Sequence, residues 1–362
     1  MKRIRLSSLV ATLCLSTAAV QAAPVTPASI HTPFTHNVGI DFATNMTNWY
    51  PAGDRQAQIN DSQNMLEGIV KHFKLIRVYS MFVPGWNNDV DPATQALANV
   101  MNTGGNSDVE AIIGTQNSFD KFCTSSDLSD TWVSKLVQTF GSNTSRIKAV
   151  LLGNEVNAQG GIDATKLESC MKNMKQSMAN AGLGNIPISV SFNLLPRDNS
   201  PNSIFDPLVN VIVNNWDNSW NGGYPFVMYD PYPDAITTPQ GTHDPKLIAG
   251  KAHEVFNDWY SDIVNNYASR FNHSGKTLQV FIAETGAEGS LTQDGSTLIN
   301  NALLQELDSQ YKSNNGKTVP TIMEEAANQS KKAAGQQMMG LFDKDGNPIS
   351  GLILPAWTTK HR

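Results

Sequence analysis

The sequence predicts an α/β protein folded as a single (β/α)8 TIM barrel. Three observations carry this. About eight short apolar runs alternate with longer segments of helical spacing. Several runs are apolar through most of their length, as parallel strands covered on both faces are. No Gly-x-Gly-x-x-Gly and no Gly-Lys-Ser/Thr loop follows any run, so the phosphate loops of an open doubly wound sheet are missing.

In chain order the predicted strands are 37–43, 75–80, 109–114, 147–152, 186–192, 226–230, 278–284 and 319–324. Parallel strands need crossover connections, usually helical. Asp91-Pro92 and Asp244-Pro245 each read as a helix start, with an acid at the cap and proline in the first turn. Residues 130–140 place Trp132, Val133, Leu136, Val137 and Phe140 at helical spacing. The segment 245–271 reads as one continuous helix. No second domain is expected: 37–362 is taken as the barrel and the Pro/Thr-rich 23–36 as its lead-in.

Residues 1–22 read as a secretory signal. Lys2, Arg3 and Arg5 precede the apolar stretch 9–20, and small residues lead to cleavage after Ala22. That stretch is short for a membrane span, and nothing later reaches ~18 apolar residues, so no span is expected. An exported protein, secreted or periplasmic, follows. Losing the three basic residues takes the formal charge from −6 to −9. An acidic surface argues against nucleic acid and suits a neutral or cationic substrate. The seven histidines show no ligand spacing, so no metal and no other cofactor is expected. Cys14 leaves with the signal. Cys123 and Cys170 either pair or, since Cys170 lies on an apolar stripe with Leu167, Met171, Met174 and Met178, leave a buried thiol.

Sites in such barrels sit at the carboxyl ends of the strands. Strand two ends with Arg77 and Tyr79, strand three with Gln116 and Asn117, and strand four with Asn154 and Glu155. Strand five ends with Asn193, and strand six with Tyr229, Asp230 and Tyr232. Strand seven ends with Glu284, and strand eight with Glu324 and Glu325. Strand alternation sends only one of the last two inward. Glu288 reads as a loop charge. Glu155 and Glu284 would face each other across the barrel mouth. Two opposed carboxylates suit glycosidic bond cleavage: one protonates the departing oxygen, and the other attacks the anomeric carbon or activates a water.

The motifs "RVY", "GNEV", "ETG" and "GLFDKDGNPISG", in this order, resemble glycoside hydrolase family 17, the β-1,3-glucanases and related glucanosyltransferases. The resemblance spans about residues 37–351. It implies a retaining mechanism without cofactor, with Glu155 as acid/base and Glu284 as nucleophile. It places Asn154 on the sugar 2-hydroxyl and Tyr79 near the nucleophile. Arg77, Asn193, Tyr229 and Tyr232 join as substrate contacts, with Glu325 and one lysine of the pair 331–332, taken as Lys331, near the acid/base. The implied partner is a β-glucan polysaccharide or oligosaccharide, bound by a monomer.

The sequence departs from the family where "ETGWPS" reads "ETGAEGS", with Ala287 and Glu288 replacing tryptophan and proline. Asp230 stands where an aromatic residue is usual. These changes bear on substrate detail. Trp49, Trp86 and Trp357 are candidate sugar platforms, whereas Trp132, Trp216, Trp220 and Trp259 read as helix or core residues. Three alternatives stay open: glucanosyl transfer by the same site, another β-glycan specificity, and carbohydrate binding without turnover.

Overall fold

The computed structural model describes residues 25–45, 47, 51, 53–83, 89–116, 123–158, 162–237 and 242–358. Residues 1–22, expected to be a secretory signal, and Trp49, Trp86 and Asn117 lie outside the described residues.

Parallel strands form one sheet in the order β5-β4-β3-β2-β1-β11-β10-β7-β6. They are β1 (Val38–Asp41), β2 (Leu75–Val78), β3 (Glu110–Gly114), β4 (Ile147–Leu151), β5 (Ile188–Ser189), β6 (Ser191–Phe192), β7 (Phe226–Tyr229), β10 (Gln279–Gly286) and β11 (Thr321–Glu324). The remaining two, β8 (Asn272–His273) and β9 (Lys276–Thr277), form a small separate hairpin. Only Val190 separates β5 from β6. The first pairs with β4 and the second with β7, so one strand divided between two neighbours closes the sheet into an eight-stranded barrel. All eight predicted strands are found within a few residues of their expected bounds.

Helices follow the strands at Arg55–Ile69, Pro92–Asn102, Ser126–Phe140, Ala164–Asn180, Phe205–Asn215 and Gln293–Ser313. Asp91 and Asp244 cap as expected, accepting from the N–H of Ala93 and of Lys246 at 2.9 Å each. The apolar faces of these helices cover the sheet, burying Trp132, Trp216 and Trp220. Among the described residues no helix is long and apolar enough to cross a membrane.

Two expectations are corrected. The segment 245–271 is not one regular helix. It breaks near Gly250, and beyond that it carries two wide π turns, Val255–Trp259 and Ile263–Tyr267. The last strand is followed by turns and a single 3-10 turn, Ala356–Thr358, rather than by a crossover helix. Gly335, Gly340, Gly346, Pro348 and Gly351 punctuate that stretch too often for a helix to propagate. Cys123 and Cys170 are joined in a disulfide, which ties the loop after β3 to helix Ala164–Asn180.

Candidate active site

The carboxyl ends of the strands surround a cavity of about 530 Å³. Tyr79, Gln116, Asn154, Glu155, Asn193, Tyr232 and Glu284 line it, together with Glu288, Glu324 and Lys332.

Glu155 sits in a tight turn beyond β4. Its φ of 47° is left-handed, a backbone that costs a non-glycine residue roughly 1–2 kcal/mol. Its neighbours hold the turn. Gly153 N–H donates to Thr115 Oγ1 at 2.9 Å, Glu155 N–H to Ser191 Oγ at 3.2 Å, and Val156 N–H to Ser191 O at 3.0 Å. The half-buried Glu155 carboxyl accepts from Asn193 Nδ2 at 2.7 Å. Burial raises its pKa, the Asn193 hydrogen bond opposes that rise, and the charges of Glu284 and Glu324 add to it.

Glu284 lies near the end of β10, where the register against β11 shifts between Ile282 and Thr285. Such an irregularity re-aims side chains and carbonyls. The Ala283 carbonyl accepts from Arg77 Nη1 at 2.8 Å, and Glu284 Oε1 accepts from the same nitrogen at 2.9 Å. Glu284 Oε2 accepts from the Tyr232 hydroxyl at 2.9 Å. Both oxygens are therefore held, and the carboxylate has one orientation. Gly286 closes the strand, where a side chain would collide with the Glu324 carbonyl.

Arg77 is 1% exposed and lies beneath the cavity floor. It also meets Asp41 Oδ2 at 3.2 Å and, through Nη2, Asn154 Oδ1 at 2.6 Å. Burial acts to lower the Arg77 pKa, but Asp41 and Glu284 beside it outweigh that and raise it. The Tyr79 ring packs 4.6 Å from the guanidinium carbon, and burial pushes its phenol pKa well up. At the end of strand β11, which neighbours β10, Lys332 Nζ donates to Glu324 Oε1 at 2.8 Å and to Glu325 Oε2 at 2.9 Å. Tyr232 also contacts Glu324. Asp41, Glu284 and Glu324 bring carboxylate oxygens within 4.8 Å of one another, a spacing that suits a metal ion. Arg77 and Lys332 already supply these three with positive charge and hydrogen bonds.

Tyr79, Asn154, Glu155, Asn193, Tyr232 and Glu284 thus reach the cavity as expected, and four other expected contacts are corrected. Arg77 supports the floor from below. Tyr229 is fully buried and lies beside Tyr260, on the helix side of β7, because alternation gives the inward place to Asp230. Glu325 is buried behind Glu324 and bonds Lys332 and Gln329, so Glu324 is the strand-eight carboxylate in the cup. Lys331 is exposed, and Lys332 makes the ion pairs.

Trp357 is corrected as well: it packs on Tyr311 at the amino ends of the strands, opposite the cup. Glu288 is more than a loop charge, since it lines the cavity, bonds Gln336 and has a pKa raised by burial. Asp41 and Ser191 escaped the sequence reading. Asp41 had a signal, as the only acid in an otherwise apolar strand. Ser191 had none.

A sequence model of glycosyl hydrolases family 17 matches residues 90–352, most of the chain and most of the cup. The chain belongs to family 17. It is therefore a glycosidase, an O-glycosyl hydrolase. No curated protein matches the sequence. Solved structures share the fold at low identity. A β-1,3-glucanase and allergen of Cryptomeria japonica pollen has 18% identity and a TM-score of 0.62, over 88% of this chain and 98% of that one. An endo-laminarinase from Formosa has 14% identity and a TM-score of 0.60, over 90% and 87%. A family 17 β-1,3-glucanosyltransferase from Rhizomucor miehei has 16% identity and a TM-score of 0.53, over 89% and 97%. The family 17 barrel is thus retained while most of the sequence has diverged.

Proposed function

We propose that this family 17 chain is an exported, retaining β-1,3-glucan hydrolase. The observation that carries the mechanism is the unequal treatment of two carboxyls in one cavity. Glu155 is half-buried with a raised pKa, as suits an acid that must hold a proton. Glu284 has both oxygens fixed by donors, Arg77 and Tyr232, as suits a nucleophile. In the first step Glu284 attacks the anomeric carbon, and Glu155 gives its proton to the departing glycosidic oxygen. In the second, Glu155 takes a proton from water, and the resulting hydroxide displaces Glu284 from the sugar. Asn154 Oδ1 is occupied by Arg77 and by Ser191 Oγ, which donates at 2.8 Å. Its Nδ2 hydrogens are thereby directed to the substrate, on the 2-hydroxyl of the reacting ring.

The β-1,3 linkage is supported by family membership and by relatives of the same fold. One of these, the Rhizomucor enzyme, has an active-site mutant in complex with laminaritriose. Export is supported by the basic-apolar-Ala leader and by the disulfide, a bond that persists in oxidising compartments.

Product release from a soluble β-1,3-glucan tests the proposal, with Glu284→Gln beside the wild type and product lengths resolved. Shorter products from wild type and none from the variant support hydrolysis. Products longer than the donor would assign the second step to a sugar acceptor. An inactive wild type overturns the linkage, and a fully active Glu284→Gln overturns the mechanism.

A further inference from the structure

Strand β10 ends at Gly286, and the chain then buries Ala287, Gly289 and Ser290. Glu288, between them, is only partly buried and lines the cup. The backbone beside it is clamped from two sides. Gly289 N–H donates to the Gly335 carbonyl at 2.8 Å, and His243 Nδ1 donates to the Gly289 carbonyl. Gly289 has a φ of 87°, and a side chain there would press on Ile248 at 3.0 Å and Asp234 at 3.1 Å. The Glu288 carboxyl thus stands on held backbone, as a binding group should.

Glu288 Oε1 accepts from Gln336 Nε2, and Gln336 lines the same cavity. Glu288 has no other hydrogen-bond partner among the described residues. Its Oε2 is not sealed in the protein as the Asp230 oxygens are, so it can meet a ligand in the cup. Gln336 likewise keeps its amide oxygen and one N–H hydrogen. Burial raises the Glu288 pKa, the Gln336 bond opposes that, and the charges of Asp234, Glu284 and Glu155 add to the rise. The pair therefore lies within electrostatic reach of both mechanistic carboxyls, yet neither step of the mechanism uses it. Sugar hydroxyls, which donate and accept, match a carboxylate beside an amide.

Position narrows which hydroxyls these are. Asn154, beyond β4, is directed to the 2-hydroxyl of the reacting ring. Glu288 follows β10, three strands further round the barrel and past the end of the strand that carries Glu284. In a glucosyl ring the 4- and 6-hydroxyls lie on the edge away from the 2-hydroxyl. A β-1,3 chain leaves both free, whereas in a β-1,4 chain the 4-oxygen carries the next ring.

We propose that Glu288, backed by Gln336, binds the 4,6-hydroxyl edge of the reacting glucosyl ring and so selects β-1,3 over β-1,4 links. This rests on the hydrolase reading above and adds to it a residue that sets linkage.

The test measures kcat/KM on an aryl glycoside of the β-1,3-linked glucose disaccharide, on analogues lacking the 4- or 6-hydroxyl of the reacting ring, and on the β-1,4-linked isomer. Wild type should lose about tenfold or more on each deoxy analogue. Glu288→Ala should lose about tenfold or more on the parent glycoside, but no more than about twofold further on the analogues. Its preference for the β-1,3 over the β-1,4 isomer should fall by a similar factor. Glu288→Gln keeps the size and one acceptor oxygen, so its loss should be intermediate. Glu288→Ala within about twofold of an active wild type, or deoxy penalties that persist undiminished in Glu288→Ala, overturns this inference alone. A wild type inactive on the parent glycoside overturns the hydrolase reading and this inference with it.

Discussion

Arg77 and Glu284, 207 residues apart in the chain, are joined at 2.9 Å beneath the cavity floor. The same guanidinium nitrogen meets Asp41, and its partner nitrogen meets Asn154. One buried cation therefore positions the strand-seven carboxylate and the strand-four amide together. Arg77→Met leaves Asp41 and Glu284 facing each other without compensation. The expected loss is about 3–5 kcal/mol in urea unfolding, with activity abolished. Arg77→Lys restores charge but not the two-nitrogen fork, so stability should recover more than kcat. Equal recovery of both would show that the fork does not position the site.

The Asn193 hydrogen bond holds the Glu155 pKa below what burial alone would give. Asn193→Ala removes that restraint, so the pKa rises further. In the proposed mechanism Glu155 acts as acid only when protonated, so the alkaline limb of kcat/KM should move to higher pH. A limb that stays in place or moves down would assign it to another group. Glu155→Gln should cost on the order of 10²–10⁴-fold in kcat on natural glucan. It should cost much less in the first step with an aryl leaving group that needs no proton.

Lys332 and Lys331 are adjacent, but only Lys332 bridges Glu324 and Glu325. Lys332→Met should destabilise by about 3 kcal/mol or more, because two buried carboxylates lose their cation. Lys331→Met should stay within about 0.5 kcal/mol of wild type, as an exposed change does. Similar losses at both positions would contradict the pairing.

Asp230 is 2% exposed, and neither carboxyl oxygen has a hydrogen-bond partner. Burial first, then the charge of Glu284, pushes its pKa well above the ordinary 3.8. A raised carboxyl favours the folded state fully only below its unfolded pKa. That contribution is lost as pH rises from about 4 towards the folded value. Asp230→Asn cannot ionise, so it should raise Tm at pH 7 relative to its effect at pH 4, by roughly 2 °C or more. An equal change at both values would show that ionisation of Asp230 carries no penalty.

The eight strands were legible because each is an apolar run bounded by polar or turn residues, and burial on both faces demands that composition. Asn154, Glu155 and Glu284 were legible because polar groups that close buried runs converge once a barrel is assumed. The crossover after strand eight misled the reading, because regular alternation was extended into a stretch whose glycines forbid it.

The sequence by itself determined the barrel, the family resemblance and the pair of carboxylates, since these follow from local composition and motif order. Only the tertiary structure decided which neighbour does the work: Lys332 over Lys331, Glu324 over Glu325, Asp230 inward and Tyr229 outward. It alone moved Trp357 to the far end of the barrel and set Arg77 under Glu284. Adjacent residues share composition and spacing, and their roles diverge only when backbone direction fixes which face each side chain meets. A contact between residues 77 and 284 exists only after the closed sheet brings distant strands together.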